Sequence, residues 1–282
     1  MLQFCLTSSQ DAAGDIMYIV TGDEKALVVD TTLGAGNIKK LVEFLTDLPY
    51  EVVLTHGHVD HIGGMFGFDQ VYLNEKDWNI VEDNRNFKFK VNAYFGGIHD
   101  ASISKIITEA DFETTTIVKL NPLNAGDTFD LGHYTVEVLE AMGHTQGSVA
   151  LLFKEDRLLL TGDAVNTHTY MFFDYSTTLE TYYKVLKKLN AHANEWDALL
   201  VSHSTYIPYD KSMIDDCIEI CEEIVETGVS KGQVVATQIT QQYGYTEVFL
   251  AKEIDPHTDK RIDGKVGNIF YDTSAIYDAE PQ

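Results

Sequence analysis

One ten-residue stretch constrains this chain more than any other, because it places four potential metal ligands within six positions. Residues 55–64 read THGHVDHIGG, and the candidate ligands are His56, His58, Asp60 and His61. A regular helix would scatter these side chains, and a regular strand would turn the fourth to the opposite face. They can reach a common point only from a tight loop. A surface turn that happens to be rich in histidine leaves this crowding unexplained, so the sequence predicts a metal site.

The rest of the chain alternates short apolar runs with helical periodicity, a pattern typical of sheets flanked by helices. Strands are predicted at 17–20, 26–29, 51–54, 71–73, 117–120, 135–139, 149–153, 158–161 and 198–202, and helices at 37–48, 178–189 and 211–227. Because no Pro-rich or Ser-rich linker interrupts the pattern, we expect a single domain over residues 1–282. Within it, a helical insertion is predicted near 84–107 and a C-terminal extension near 206–282.

Composition narrows the range of partners. The formal net charge of −24, from 44 acidic and 20 basic residues, would repel phosphate backbones and anionic lipid surfaces. We therefore expect no nucleic acid and no membrane as a partner, but a small-molecule substrate; a homodimer is left open. The three cysteines, Cys5, Cys217 and Cys221, form no disulfide framework, which favours a cytoplasmic location.

Three further ligand candidates follow predicted strands. His144 comes shortly after the strand at 135–139, Asp163 follows 158–161, and His203 follows 198–202. Loops at strand ends carry functional side chains on a rigid scaffold. Each residue alone has an equally good interpretation as a hydrogen-bonded structural group, but their shared position, together with the histidine loop, favours metal binding.

These motifs resemble those of the metallo-β-lactamase superfamily. The matching segments are THGHVDHIGG at 55–64, GHTQGSVAL at 143–151, TGDAV at 161–165 and VSHS at 201–204. The resemblance extends over about residues 15–205. It implies an α/β fold, the four-layer αβ/βα sandwich, with two mixed β-sheets face to face, helices outside and the site at one edge.

The resemblance also implies a division of the ligands between two divalent metal ions. It assigns His56, His58 and His144 to the first ion, and Asp60, His61 and His203 to the second, with Asp163 bridging both. Imidazole nitrogen combined with carboxylate oxygen suits zinc, and also iron or manganese. The β-lactamases with a thiolate ligand on the second metal differ from this chain, which has no cysteine among these segments, so β-lactam hydrolysis is disfavoured. The bridging aspartate resembles instead the glyoxalase II, lactonase and phosphodiesterase branches.

Two ions about 3.5–4 Å apart can share a water molecule and lower its pKa towards neutrality. We therefore expect a dinuclear hydrolase that uses a metal-bridging hydroxide to attack a small ester, lactone or thioester. Asp60 is the predicted catalytic residue, because it could ligate a metal and also orient the hydroxide. The aromatic segment 165–175 offers His168 and Tyr170 as candidate substrate-binding residues.

Two alternatives share the fold. A phosphodiesterase would use the same ligands, but the negative charge argues against a nucleic acid substrate. A mononuclear iron oxygenase acting on a persulfide would relax the second ligand set, whereas Asp60, His61 and His203 are all present here. The sequence leaves the metal and the bond that is cleaved undetermined.

Overall fold

The computed structural model describes residues 14–82, 86, 108–112, 117–203, 207–237, 240–241, 244–245 and 247–279, and the backbone of residues 2–6. Most of the predicted helical insertion near 84–107 lies outside these described residues. No helix in the described part of the chain is long and apolar enough to cross a membrane.

Two six-stranded sheets form the centre of the fold. The first contains, in spatial order, β1 (Leu2–Leu6), β2 (Asp15–Thr21), β3 (Ala26–Val29), β4 (Tyr50–Val53), β5 (Gln70–Leu73) and β6 (Lys119–Pro122). The second contains, also in spatial order, β13 (Tyr209–Asp210), β12 (Ala198–Val201), β10 (Leu158–Gly162), β9 (Val149–Phe153), β8 (Thr135–Glu140) and β7 (Thr128–Asp130). Both sheets are mixed, because β3 to β6 pair in parallel and β10 pairs in parallel with β12.

The strands show why this sequence forms layers. In β2, Ile16 and Tyr18 face the core between the two sheets, whereas Met17 and Ile19 face the outer side. Alternate residues of a strand point to opposite faces, so a strand buried on both sides must be apolar throughout. All five residues of β9 are buried for the same reason.

Helices cover the outer faces. They are α1 (Ile38–Leu45), the single turn α2 (Val59–Ile62), α3 (Leu179–Asn190) and α4 (Ser212–Thr227). The apolar side of α1 packs with the first sheet, and the apolar sides of α3 and α4 pack with the second. The order helix, sheet, sheet, helix is the predicted four-layer sandwich.

The C-terminal segment adds a third sheet whose strands the sequence analysis did not locate. This sheet contains β11 (Thr169–Met171), β18 (Ile269–Asp272), β15 (Val248–Leu250) and β14 (Val234–Val235). A two-stranded ribbon, β16 (Ile254–Asp255) and β17 (Lys260–Arg261), lies between β15 and β18 in sequence. The extension therefore joins the body of the fold through β11, which comes directly after the Asp163 region.

Candidate metal centre

Six of the seven candidate ligands follow strands that have a parallel neighbour, and His144 follows the antiparallel strand β8. The histidine loop follows β4, Asp163 follows β10, and His203 comes two residues after β12. Because β10 and β12 are parallel, their carboxyl ends lie at the same edge of the second sheet. Gly162 brings the two sheets together there: its φ is +55°, and a Cβ at this position would lie 2.9 Å from the Thr55 hydroxyl oxygen.

The sequence predicts a tight loop for the histidine segment, but part of this segment forms a helical turn. His56 and His58 precede the single helical turn α2, and Asp60 and His61 lie within it. The His58 carbonyl accepts hydrogen bonds from the backbone N–H groups of His61 and Ile62. Only Asp60 and His61 of the four are helical, and both belong to the second ligand group, whereas His56 and His58 before the turn belong to the first.

The first ligand group consists of three histidine nitrogens that converge. His58 Nδ1 lies 2.9 Å from His56 Nε2 and 2.7 Å from His144 Nε2. The ligand atoms of these three side chains lie within 4.8 Å of one another, and His56 and His144 are buried.

Hydrogen bonds on the far side of the rings fix the tautomers of two of these histidines. The Nδ1 atom of His144 lies 2.7 Å from the Tyr170 carbonyl oxygen, to which it must donate. The Thr55 hydroxyl donates to Asp30 and therefore accepts from His56 Nδ1 at 3.1 Å. In both rings the Nε2 atom is left with a lone pair, and the two lone pairs meet at His58 Nδ1. Converging lone pairs in a buried site are suited to a cation.

The second ligand group combines carboxylates and imidazoles. Asp60, His61, Asp163 and His203 offer ligand atoms that lie within 4.8 Å of one another. His203 Nε2 lies 3.4 Å from Asp60 Oδ2, and His61 Nε2 lies 3.7 Å from the same oxygen.

Asp163 stands between the two groups. Its Oδ2 atom is 3.1 Å from His203 Nε2 and 3.4 Å from His61 Nε2, both in the second group. The same oxygen is 3.7 Å from His144 Nε2 in the first group. This position fits the bridging role that the family resemblance implies.

Electrostatics separate the two groups of histidines. Burial and the neighbouring imidazoles hold the pKa values of His56 and His58 well below the usual value, and burial lowers the pKa of His144. These rings are therefore neutral at pH 7, the form that ligates metal.

The second group behaves in the opposite way. Burial works to lower the pKa values of His61 and His203, but Asp60 and Asp163 outweigh it and hold both values well above 6.5. The same histidines hold the pKa of Asp163 well below its usual value, although burial opposes them. Carboxylates packed together in this way require a cation beside them, whether a proton on imidazole or a metal ion.

Asp30 orients the second group and was missed by the sequence analysis. Its Oδ2 atom lies 2.9 Å from His61 Nδ1 and accepts from the Thr55 hydroxyl, and its Oδ1 accepts from the Thr55 N–H. A carboxylate behind a ligating histidine fixes the ring and its tautomer. A usable signal was present, because Asp30 directly follows the apolar strand β3, as Asp163 follows β10.

Two other carboxylates near the ligands were also missed. Asp15 Oδ1 lies 3.5 Å from His203 Nδ1, and burial together with the charge of Asp60 raises the pKa of Asp15 to about 7. Asp77 is buried and accepts hydrogen bonds from the backbone N–H groups of Gly57, in the histidine segment, and Gly147, in the loop that contains His144. Nothing local in the sequence marks Asp77, since it lies in a short helix of ordinary polar composition.

The two predicted substrate residues contact other parts of the protein. His168 stacks on Phe270, and its Nε2 atom lies 3.4 Å from Asp259 Oδ1. Tyr170 contributes its backbone carbonyl to His144, and its ring packs against Phe172 and Phe270. Their roles in substrate binding stay predictions.

An aromatic wall, defined as Phe173 and Tyr175, borders the first ligand group. The two rings stack with centroids 5.2 Å apart, and their centroids lie 5.1 and 5.0 Å from that of His58. Both residues are half-buried. The neighbouring Phe172 is buried, whereas Phe173 faces the histidines of the first ligand group.

The donor set fits divalent metal ions. Five histidines and two aspartates supply the donor atoms, and none of the seven side chains is a thiolate. The Nδ1 atoms of His56, His61 and His144 are held by hydrogen bonds, which leaves Nε2 of each ring for a metal ion. Mixed nitrogen and oxygen donors in a buried pocket are the chemistry of zinc and of its first-row neighbours.

Comparison with known proteins identifies the family. The model of the metallo-β-lactamase superfamily matches residues 13–205, more than half of the chain. The chain belongs to the metallo-β-lactamase superfamily. The matched region contains all seven candidate ligands.

Relatives with assigned names are distant. The human acyl-coenzyme A thioesterase MBLAC2 is 26% identical over 165 residues, which covers 53% of this chain and 57% of that protein. A probable metallo-hydrolase of Streptococcus pyogenes is 28% identical over 166 residues, covering 56% of this chain and 64% of the relative. The chain thus matches less than two-thirds of the length of either relative. These names agree with the prediction of a metal-dependent hydrolase.

Solved structures confirm the fold. The metallo-β-lactamase family protein TTHA1429 from Thermus thermophilus has a TM-score of 0.57 at 17% identity, covering 86% of this chain and 87% of that chain. The metallo-β-lactamase IND-7 has a TM-score of 0.54 at 15% identity, covering 78% of this chain and 91% of that chain. At these identities the likeness establishes the four-layer superfamily sandwich and not the substrate.

Proposed function

We propose that this protein is a dinuclear metal-dependent hydrolase of a small ester, lactone or thioester. The observation that carries the proposal is the pair of adjacent ligand groups joined by Asp163 Oδ2. A single-metal protein would have no need of a second complete set of donors beside the first. The mononuclear oxygenase alternative is disfavoured for this reason.

The chain's own residues divide between the two ions as the geometry groups them. His56, His58 and His144 would hold the first ion, and Asp60, His61 and His203 the second, with Asp163 contributing to both. Zinc is the proposed metal, because the donors are imidazole and carboxylate and the site needs no redox chemistry for hydrolysis. When bound, two such ions supply a hydroxide nucleophile at neutral pH and a Lewis acid for the substrate oxygen.

Asp60 is the proposed catalytic residue. Its side chain is 30% exposed whereas that of Asp163 is 10% exposed, so Asp60 is the more accessible carboxylate of the second group. One oxygen faces His61 and His203. The other would accept a hydrogen bond from the attacking water and align it with the substrate carbonyl.

The proposed substrate has an apolar acyl part next to its carbonyl. The aromatic wall lies beside His58, and an acyl group that packs there would place its carbonyl near the first ligand group. The name of the human relative, an acyl-coenzyme A thioesterase, supports thioesters as the first substrates to test.

A substrate panel tests the proposal. Zinc-loaded wild-type protein would be assayed on an acyl thioester, an acyl-homoserine-type lactone and bis(p-nitrophenyl) phosphate, beside Asp163→Ala and His58→Ala. A matched control is His192→Ala, because His192 is an exposed histidine paired with Glu195. We expect hydrolysis of a carbonyl substrate by wild type and control, and loss of most activity and of metal in the two ligand variants.

Two results would contradict this function. Full turnover and a complete metal complement in Asp163→Ala would remove the basis for the bridging role. Activity on the phosphodiester alone would transfer the protein to the phosphodiesterase branch.

A further inference from the structure

Asp77 connects two loops that are far apart in sequence. It lies in the short 3₁₀ helix Glu75–Ile80, which follows β5, and its side chain is 1% exposed. The Gly57 N–H donates to its Oδ2 at 2.8 Å, and the Gly147 N–H donates to its Oδ1 at 2.8 Å. The Thr145 hydroxyl donates to Oδ2 at 2.7 Å. One buried carboxylate thus receives three hydrogen bonds from two loops.

Those donors sit among the ligands of the first group. Gly57 lies between His56 and His58, and Thr145 directly follows His144. Each oxygen of the carboxylate accepts from a different loop backbone, so the fixed separation of the two oxygens determines how far apart the loops lie. Hydrogen bonds to an ionised carboxylate are stronger and shorter than neutral ones, which makes such a link stiff.

Two glycines permit this close approach. A Cβ on Gly147 would lie 2.5 Å from Asp77 Cγ, and a Cβ on Gly57 would lie 2.6 Å from Ile80 Cδ1 and 3.0 Å from Asp77 Cβ. Only a residue without a side chain allows the backbone to come so near. The glycine between His56 and His58 is therefore explained by the short helix that packs behind it.

We propose that Asp77 is a positioning residue that sets the spacing of the His56–His58 loop and the His144 loop, and thereby the affinity for the ion that these three histidines hold. Asp77 touches the backbone next to the ligands and acts through them. The inference rests on the metal binding proposed above but not on the hydrolysis of any substrate.

The substitution Asp77→Asn tests the proposal with little change in shape. Asparagine offers one oxygen, so its NH₂ group must face one of the two backbone N–H donors, and the link to that loop is lost. Replacing a partner that orients metal ligands typically costs 10- to 100-fold in metal affinity. We expect a loss of about that size for the ion of the three-histidine group and a much smaller change for the second ion.

A matched control separates positioning from general stability. Asp216 is a buried carboxylate on α4 that accepts hydrogen bonds from the Val266 and Gly267 N–H groups of the C-terminal segment. We expect Asp216→Asn to lower the free energy of unfolding of the metal-free protein while leaving both zinc affinities unchanged.

The readouts do not depend on catalysis. Competition with a chromophoric chelator gives the two zinc affinities, and ¹⁵N chemical shifts of the histidine rings show which group each ion occupies. Hydrogen exchange in the metal-free protein adds a second measure, since the Gly57 and Gly147 amides should exchange faster in Asp77→Asn than in wild type. If Asp77→Asn does not fold, Thr145→Val removes one of the three donors and should give a smaller loss at the same group.

Equal weakening of both ions, an effect no larger than that of Asp216→Asn, or unchanged affinity for the three-histidine group would each overturn the proposal. Absence of zinc binding by the wild-type protein would overturn the proposed function and this inference with it. Normal binding by Asp77→Asn would overturn only the inference.

Discussion

Three candidate ligand histidines have their Nδ1 atoms hydrogen-bonded, each to a different kind of group. The Nδ1 atom of His61 is hydrogen-bonded to Asp30, that of His144 to the Tyr170 carbonyl, and that of His56 to the Thr55 hydroxyl. Asp30 also accepts from Thr55, so one carboxylate influences a histidine of each group. Because ring orientation is fixed before any ion binds, the site loses little conformational entropy on binding.

Zinc affinity should depend on pH through the second ligand group. Without metal, His61 and His203 have raised pKa values and carry protons at pH 7, and these protons must leave when an ion binds. We expect affinity for the second ion to rise with pH across the neutral range, with release of about two protons per chain. Calorimetric titration in buffers of different ionisation enthalpy measures this number.

In the first ligand group His56 and His58 are already neutral, so its affinity should change less over the same range. Equal pH dependence of both affinities would contradict the separation of the two groups.

The aromatic wall makes a prediction about substrate preference. Phe173 stacks on Tyr175 beside His58, and Phe173→Ala removes this apolar surface while all seven candidate ligands stay in place. We expect KM for an acyl thioester to rise about 10-fold, equivalent to about 1.4 kcal/mol of binding, with kcat changed little. Steady-state kinetics on thioesters of increasing chain length measure the effect. A fall in kcat at constant KM would place Phe173 in the chemistry and not in substrate binding.

The sequence could bring the seven candidate ligands together because four lie within six positions and the other three follow predicted strands in segments that resemble one family. Their binding of metal stays a prediction. The carboxylates that contact these ligands or their loops, Asp15, Asp30 and Asp77, were harder to predict. Asp77 meets Gly57 across 20 positions and Gly147 across 70. A buried aspartate in a short helix looks like a surface residue until the tertiary contact is known.

Continuous apolar runs and helices with clear periodicity were predicted well. The run 149–153 is β9 without change, and Thr178 caps α3 by accepting from the Thr181 N–H. The third sheet was missed because its strands have two to four residues and β11 pairs with β18 across 100 positions, as in Thr169 with Ile269. Strands this short carry no reliable period of their own.

The start of α3 shows how the C-terminal segment stabilises an element far away in sequence. Asp278 accepts hydrogen bonds from the Thr178 and Thr181 hydroxyls and from Lys184. These contacts lower the pKa of Asp278 to about 2. A carboxyl with a depressed pKa stabilises the fold above its unfolded value, near 3.9, and the contribution disappears as the pH falls towards 2.

We therefore expect Asp278→Asn to lower the free energy of unfolding by about 0.5–1 kcal/mol at pH 7, the range for a largely exposed charged group. The difference from wild type should vanish near pH 2. Urea unfolding at several pH values measures it, and a difference that persists unchanged at low pH would contradict the assignment to the charge of Asp278.

Metal binding should also stabilise the complete fold. The ligands come from loops after β4, β8, β10 and β12, so an ion joins both central sheets at one edge. A site occupied at 100 times its dissociation constant adds about 2.7 kcal/mol to the free energy of unfolding. We expect chelation to lower the midpoint of thermal unfolding and zinc to restore it.

The control for that measurement is His203→Ala, in which the second group lacks one ligand and zinc should restore less of the lost stability. Identical thermal midpoints with and without chelator would contradict this prediction, because they would mean that metal binding does not stabilise the fold.

The architecture followed from the motifs and the alternation of strands and helices, and the family match and the solved structures agree with it. The single-domain organisation over 1–282, the homodimer and the cytoplasmic location stay predictions. Substrate identity depends on the surroundings of the ligands, including aromatic side chains whose arrangement arises from tertiary packing and not from a local motif.

Counting the metal ions bound per chain tests the two-metal account in a single experiment. Protein purified and dialysed against zinc at pH 7 would be analysed by inductively coupled plasma mass spectrometry, with Asp163→Ala beside it. The geometry predicts about two ions per wild-type chain and fewer in the variant, because Asp163 faces both ligand groups. One ion or none in the wild type, or an unchanged count in Asp163→Ala, would contradict it.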